Sequence, residues 1–280
     1  MHCCCRRSFL SQLATAAFAA AAPATAAQEG RPLRLTARSR KNGLLPVEQT
    51  LTWKTNETAI IICDMWNGHY CKNSVIRINQ MVPRMNAVLT AARSLGVQII
   101  HAPSGTMDVY TATPQRKRMQ AATRATPPVP IAKWCYLDRK DEAPLPIDDA
   151  TQPCDDATVD AAVKRFDRQH PGLTIAEPDG ISDSGDEIYS FFTQQRIRNV
   201  AMMGVHTNMC VLGRPFGIRQ LTRLGFNVVL ARDLTDAMYD PRQAPWVSHA
   251  RGTDLVIEHI EQYWCPTVAG ADLTRLSEKS

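Results

Sequence analysis

The sequence predicts an α/β protein built on a mostly parallel sheet of about six strands, and three observations predict it. Ala59-Ile60-Ile61-Ile62-Cys63-Asp64 is an unbroken apolar run closed by an acid, the pattern of a central strand buried on both faces. Similar runs recur at Val97 to Ala102, Leu173 to Ala176, Asn199 to Met203 and Phe226 to Ala231, with a short last one near Thr267 to Ala269. Stretches of helical apolar spacing separate most of them, and strands alternating with helices imply right-handed crossovers and parallel pairing. In such sheets the working residues gather at the C-terminal strand ends, where Asp64 and Cys210 both fall.

Residues 1–27 read as a targeting segment. Arg6-Arg7-Ser8-Phe9-Leu10 is a twin-arginine pattern, an Ala-rich stretch runs from Leu13 to Ala22, and Ala24-Thr25-Ala26 offers a small-residue cleavage site. Export to the bacterial periplasm after folding in the cytoplasm is expected. Residues 28–57 form an N-terminal appendage, with short strands expected at Arg34 to Arg40 and Gln49 to Lys54.

The domain proper is expected over 58–270. Val82 to Leu95 carries Val82, Met85, Val88, Leu89 and Ala92 on one stripe and stops at Gly96. Further helices are expected near Asp186 to Gln195, Arg214 to Leu224 and Ala244 to Tyr263, and 271–280 is a C-terminal tail. Regularity fails over 103–172, a Pro-rich stretch of about 70 residues. Trp134, Cys135, Tyr136 and Leu137 argue for order there, so it reads as an ordered insertion that covers something, with Trp134 and Tyr136 folding over as a lid.

Composition narrows the partners. The formal net charge is +5 with acids and bases interspersed, falling to +3 once Arg6 and Arg7 leave, so nucleic-acid binding has no support. The Ala-rich stretch is too short to span a bilayer, so no membrane association is expected after signal removal. Cys3, Cys4 and Cys5 lie in the targeting segment, leaving Cys63, Cys71, Cys135, Cys154, Cys210 and Cys265. Folding before export means that disulfides are not required. Cys135 with Cys154 is the best guess for a pair, since both lie in the Pro-rich region.

The chemistry centres on Gly204-Val205-His206-Thr207-Asn208-Met209-Cys210. A cysteine at a strand-to-helix elbow lies near the positive end of a helix, which favours the nucleophilic thiolate. Asp64 can take its proton and later deliver one to a leaving group. Trp66, His69 and Tyr70 follow Asp64, while His206 and Asn208 precede Cys210; with Trp134 they outline a pocket. Arg214, one turn beyond Cys210, could pair with a carboxylated substrate.

These motifs resemble the isochorismatase-like cysteine hydrolases, which include nicotinamidases and N-carbamoyl or ureido amidohydrolases. The matching blocks are Ile60 to Asn67, Asn199 to Leu212, Gly225 to Asp233 and Ser248 to Thr253. The resemblance implies a doubly wound fold with helices on both faces, a cis peptide between Val205 and His206, and an oxyanion hole of backbone N–H groups near Val205, His206 and Cys210. It further implies a homo-oligomer acting on a small molecule, with no cofactor. A cysteine nucleophile disfavours the vinyl-ether-cleaving branch.

The family's catalytic lysine, near the end of the third core strand, has no counterpart at the expected place, where Glu177 stands. Lys133 could reach in from the insertion, or Glu177 could pair with Asp64 as an acid/base couple. The family's nicotinamidase pattern of Asp-x-His with a further His is missing after the second strand. His69, His101 and His206 all approach the crevice, but no metal is expected, and nicotinamide is disfavoured as substrate. The expected activity is hydrolysis of a small amide, carbamoyl or ureide C–N bond through a Cys210 thioester, with Asp64 as general base. The alternatives are Asp64/Glu177 acid/base chemistry without a covalent step, or non-catalytic binding of a small molecule.

Overall fold

The structure, a computed structural model, describes residues 1, 30–40, 45–159 and 166–277. The twin-arginine segment and its cleavage site lie outside the described residues.

Eight strands form one sheet: β1 (Pro32–Ser39), β2 (Val47–Lys54), β3 (Thr58–Cys63), β4 (Gln98–Ala102), β5 (Gly180–Ile181), β6 (Asn199–Val205), β7 (Asn227–Asp236) and β8 (Thr267–Val268), in the order β2-β1-β8-β7-β6-β3-β4-β5. The six strands from β3 to β8 pair in parallel, and β1 and β2 form an antiparallel hairpin that joins the sheet through β8. The expected N-terminal strand pair is therefore continuous with the main sheet.

Burial on both faces explains why β3 reads as a continuous apolar run. Ile60, Ile61 and Ile62 are each fully buried, a contribution of about 2–3 kcal/mol apiece. Ile60 and Ile62 pack with Met85 and Leu89 of α1 (Lys72–Ser94) on one face. Ile61 and Cys63 face the other core, with Phe192 of α3 (Gly185–Gln195), Leu221 of α5 (Ile218–Arg223) and Ile260 of α6 (His249–Tyr263). Two short helices complete the set, α2 (Pro114–Gln120) and α4 (Cys210–Gly213). Among the described residues no helix is long and apolar enough to cross a membrane.

Besides shifted ends at α6, which starts at His249 and not Ala244, and at β7, which runs on to Asp236 and not Ala231, three elements differ from expectation. The helix expected from Val82 starts ten residues earlier, because Ser74, Ile78 and Met81 extend its buried stripe at the same spacing. The third core strand is the short β5 at Gly180–Ile181, not Leu173 to Ala176. There the Asp179 carboxylate accepts the Ala176 N–H (2.7 Å) and the Asp179 N–H bonds to the Ala176 carbonyl (3.3 Å), closing a turn instead of a strand.

The third difference shapes the site. The helix expected from Arg214 to Leu224 is broken into α4 and α5, because Pro215 forces the residue before it out of the helical region. Arg214 accordingly has an extended backbone, φ −61° and ψ 158°.

The strand order reverses between β3 and β6, which are neighbours, so a crevice opens beyond their C-terminal ends. Asp64 follows β3 directly and Cys210 opens the helix after β6. Gly204 lets the two strand ends approach: a Cβ there would lie 2.1 Å from the Cys63 carbonyl oxygen, and its φ is +111°.

Candidate active site

Asp64 is fully buried and sits at φ 47°, a left-handed conformation uncommon for a non-glycine residue and a cost that such sites sustain. Its carboxylate is occupied on both oxygens. Oδ1 accepts the Ser104 backbone N–H at 2.8 Å, and Oδ2 accepts Arg214 Nε at 2.9 Å. The Cys210 thiol lies close enough to this carboxylate for each group to shift the other's titration.

The electrostatics of the trio follow from burial and neighbouring charge. Desolvation raises the Asp64 carboxyl above its ordinary 3.8, while Arg214, Cys210 and Ser104 pull it back. Burial, then the Asp64 charge, push the Cys210 thiol well up, and Arg214 and the His206 backbone N–H oppose them. The thiolate expected from the elbow position is therefore corrected. α4 has only four residues, too short a dipole to outweigh burial beside a carboxylate, so the surroundings favour the thiol over the thiolate.

Arg214 reaches Asp64 because Pro215 stops α4 and turns its backbone outward. Its guanidinium lies 5.5 Å over the Trp134 ring. Trp134 in turn lies flat on Gly213, where a Cβ would come within 2.6 Å of the indole, and the Cys135 N–H bonds to the Gly213 carbonyl at 2.7 Å. Trp134 is thus a support beneath Arg214, and Tyr136, 77% exposed, forms no lid.

The Val205–His206 peptide is cis. The His206 ring is buried and bonds through Nε2 to Ser74 Oγ of α1 at 2.7 Å. Burial lowers its pKa to about 3, so the ring is neutral. Trp66 is buried, gives its Nε1–H to the Ser104 carbonyl (3.1 Å), and stacks with Phe166 at 4.2 Å between ring centroids. His69 and Tyr70 are half-buried beside it, with His69 5.0 Å from the His206 ring.

Other expected members stand elsewhere. Glu177 precedes β5 and so falls at the wrong end of the strand; its side chain is 78% exposed and ion-paired with Arg118 at 2.6 Å. Lys133 is exposed, since its neighbour Trp134 takes the inward position. Asn208 has no amide group left for a substrate: Nδ2 donates to Asp149 and to the Met238 carbonyl, and Oδ1 accepts the Met238 N–H. The three histidines do not converge, because His101 is held by Gln169 (2.8 Å) and Asp179 (3.0 Å) while His206 is held by Ser74. Cys135 does not meet Cys154; it contacts Gln220, and all six described cysteines are free.

A comparison with protein families matches the isochorismatase domain over residues 58–256, from the start of β3 into α6. The chain belongs to the isochorismatase family. It is a hydrolase of the isochorismatase type, and its single mostly parallel sheet, with strand order reversing between β3 and β6, is the α/β fold expected.

Among solved structures, a cysteine hydrolase from Pseudomonas syringae pv. phaseolicola 1448A is 16% identical, with 79% of this chain and 92% of that one covered and a TM-score of 0.49. An isochorismatase from Pseudomonas putida KT2440 is 13% identical over 78% of this chain and 91% of that one, TM-score 0.48. A nicotinamidase from Bacillus subtilis is 12% identical over 73% and 94%, TM-score 0.40. A search of curated proteins returns no match.

Within this isochorismatase fold, the sequence alone points to Asp64, Cys210 and Arg214 as candidates but not to the contact between Arg214 and Asp64. Arg-Pro at 214–215 was the available signal, because an arginine before proline cannot continue the helix that would have carried it away. Nothing in the sequence pointed to Ser74 or to the Ser104 backbone.

Proposed function

We propose that this chain hydrolyses a small amide, carbamoyl or ureide C–N bond through a thioester on Cys210, with Asp64 as general base and Arg214 as the site's cation. One observation carries the reading: the fully buried Asp64 carboxylate is held by the Arg214 guanidinium at 2.9 Å, at the same strand ends as Cys210, whose thiol interacts electrostatically with both. Base, nucleophile and charge thus lie around one buried carboxylate, where electrostatic interactions are stronger than in water.

Asp64 takes the Cys210 proton as the sulfur attacks the substrate carbonyl carbon. The backbone N–H groups of His206 and Cys210 hold the developing oxyanion. The Asp64 proton then passes to the leaving nitrogen as the C–N bond breaks, releasing ammonia or an amine. Water, deprotonated by Asp64, cleaves the thioester, releases the acid and restores the thiol. Arg214 limits the charge on Asp64 and sulfur throughout, the role the family gives to lysine. Trp66 and His69 stack close after Asp64, an aromatic surface that suits a small planar substrate. The twin-arginine pattern at Arg6-Arg7 supports a periplasmic site for this activity.

The acid/base alternative through Glu177 has no geometric support, given that residue's ion pair with Arg118 on the surface. The test is ammonia release from a panel of small primary amides, N-carbamoyl amino acids and ureides. A substrate turned over by the wild type and not by Cys210→Ala supports the reading. Full turnover by Cys210→Ala overturns it.

A further inference from the structure

Outside the catalytic crevice, one cluster of side chains has no part in the proposed reaction. Cys71 and Cys154, both fully buried, meet Asp155 and Asp156, and one ligand atom from each of the four lies within 4.8 Å of all the others. Cys71 is the N-cap residue of α1, and the other three come from the insertion. Cys71 Sγ lies 3.4 Å from Asp155 Oδ1 and 3.6 Å from Asp156 Oδ1. A tetrahedral Zn2+ with ordinary bond lengths to sulfur and carboxylate oxygen separates those atoms by about 3.5 Å.

Proton counting makes the arrangement hard to explain without a cation. A thiol has one hydrogen, yet two carboxylate oxygens and the Cys154 thiol all crowd the Cys71 sulfur. The surroundings also resemble the outer shell of a metal site. The Asp156 backbone N–H points at Cys154 Sγ at 3.5 Å, the Asp156 carboxylate is oriented by the Lys72 and Asn73 N–H groups at 2.7 and 2.9 Å, and Arg77 grips Asp155 at 2.8 Å.

We propose that Cys71, Cys154, Asp155 and Asp156 bind one structural Zn2+ that fastens the insertion to the start of α1. Two thiolates with two carboxylates suit a borderline-soft divalent ion, and four protein ligands leave no open position for catalysis. Binding releases the two thiol protons to solvent and forms two sulfur–metal bonds, with no change of oxidation state. The clasp has a consequence for the site, because the same first turns of α1 carry Ser74, which holds His206, and Arg77, which holds Asp236 at 2.9 Å.

The experiment is metal analysis of the purified full chain by plasma mass spectrometry, with Co2+ replacement read by absorption. The expected result is one Zn2+ per chain, a sulfur-to-cobalt charge-transfer band in the near ultraviolet, and a fall in Tm of several degrees on chelation that added Zn2+ reverses. Cys135→Ser, in the same insertion but outside the cluster, keeps the metal, whereas Cys71→Ser with Cys154→Ser loses it. Substoichiometric zinc with no cobalt band in the wild type overturns the proposal, whether or not the double variant folds. So does metal retained by the double variant. A Cys71–Cys154 disulfide in a non-reduced digest of protein purified with zinc also overturns it, since the two thiols would then be a redox pair.

Discussion

Arg214 Nε donates to Asp64 Oδ2 at 2.9 Å across 150 residues of sequence, and this ion pair puts a permanent cation beside the base and the thiol. Guanidinium differs from ammonium in being planar and always protonated, so it can hold the carboxylate with Nε and keep two more donor nitrogens. Arg214→Gln should lower kcat/KM by about 10²–10³, the scale for losing a charge stabiliser in a dry site. Arg214→Lys should recover part of that loss. Steady-state kinetics on a substrate found with the amide panel checks both; equal activity in all three proteins would remove Arg214 from the reaction.

The same pair sets the acid side of the pH profile. Burial raises the Asp64 carboxyl, and Arg214, Cys210 and Ser104 hold it back. A general base must be ionised, so activity falls as pH drops through the Asp64 value, which lies above the ordinary 3.8. Removing the Arg214 charge takes away the largest opposing influence. The acid limb of kcat/KM should then move to higher pH in Arg214→Gln, and stay near the wild-type position in Arg214→Lys. An unmoved limb would mean that Asp64 is not the group titrating.

Histidine 206 makes stability depend on pH. It is buried against Ser74, with His69, Arg77 and His249 lowering its pKa further and Asp236 raising it, for a folded value of about 3 against 6.5 in the unfolded chain. The unfolded state therefore binds the proton first. The contribution of neutral His206 is fully present above about 6.5 and is lost as pH falls toward 3, at up to about 1.4 kcal/mol per pH unit. Urea unfolding at several pH values should show a steeper acid loss in the wild type than in His206→Asn. Parallel curves would contradict this.

At Gly204 the constraint is steric. An added Cβ would lie 2.1 Å from the Cys63 carbonyl oxygen at a φ of +111°. Gly204→Ala should cost about 3 kcal/mol or more by combining overpacking with a left-handed backbone, measured as a lowered urea midpoint. A midpoint within a few tenths of molar of wild type would show that β3 and β6 can separate freely.

The proposed export is testable at Arg6-Arg7. Replacing both with lysine should keep the protein in the cytoplasm with residues 1–27 uncleaved, as read by fractionation and N-terminal mass. Unchanged periplasmic recovery would contradict the targeting assignment.

What was legible in the sequence follows physical range. The Ile60 to Asp64 and Asn199 to Met203 runs announced buried parallel strands because burial on both faces demands apolar residues at every position. Asp64 and Cys210 were legible because strand ends in such sheets converge. β5 was not, since two residues carry no periodicity and the apolar Leu173 to Ala176 stretch ahead of it is folded into a turn by Asp179. Counting back from Gly204 lands on Glu177, which precedes β5, and the cation suggested from the insertion, Lys133, is exposed. Arg214 was placed correctly near Cys210 but on a continuous helix, and its direction depends on Pro215 and on Trp134 from the insertion. The meeting of Cys71 with Cys154 is likewise a matter of how the insertion folds back, which no local pattern encodes.

The central claim is a covalent step at Cys210 assisted by Asp64, and acyl trapping tests it most directly. Mixing the enzyme with 4-nitrophenyl acetate and following nitrophenolate on the millisecond scale should give a burst of one equivalent per chain, with an acetyl group mapped to Cys210 by mass spectrometry of the quenched sample. Asp64→Asn should slow that burst by about 10²-fold or more. Acetylation of another cysteine, or a Cys210 burst as fast in Asp64→Asn as in the wild type, would contradict the account.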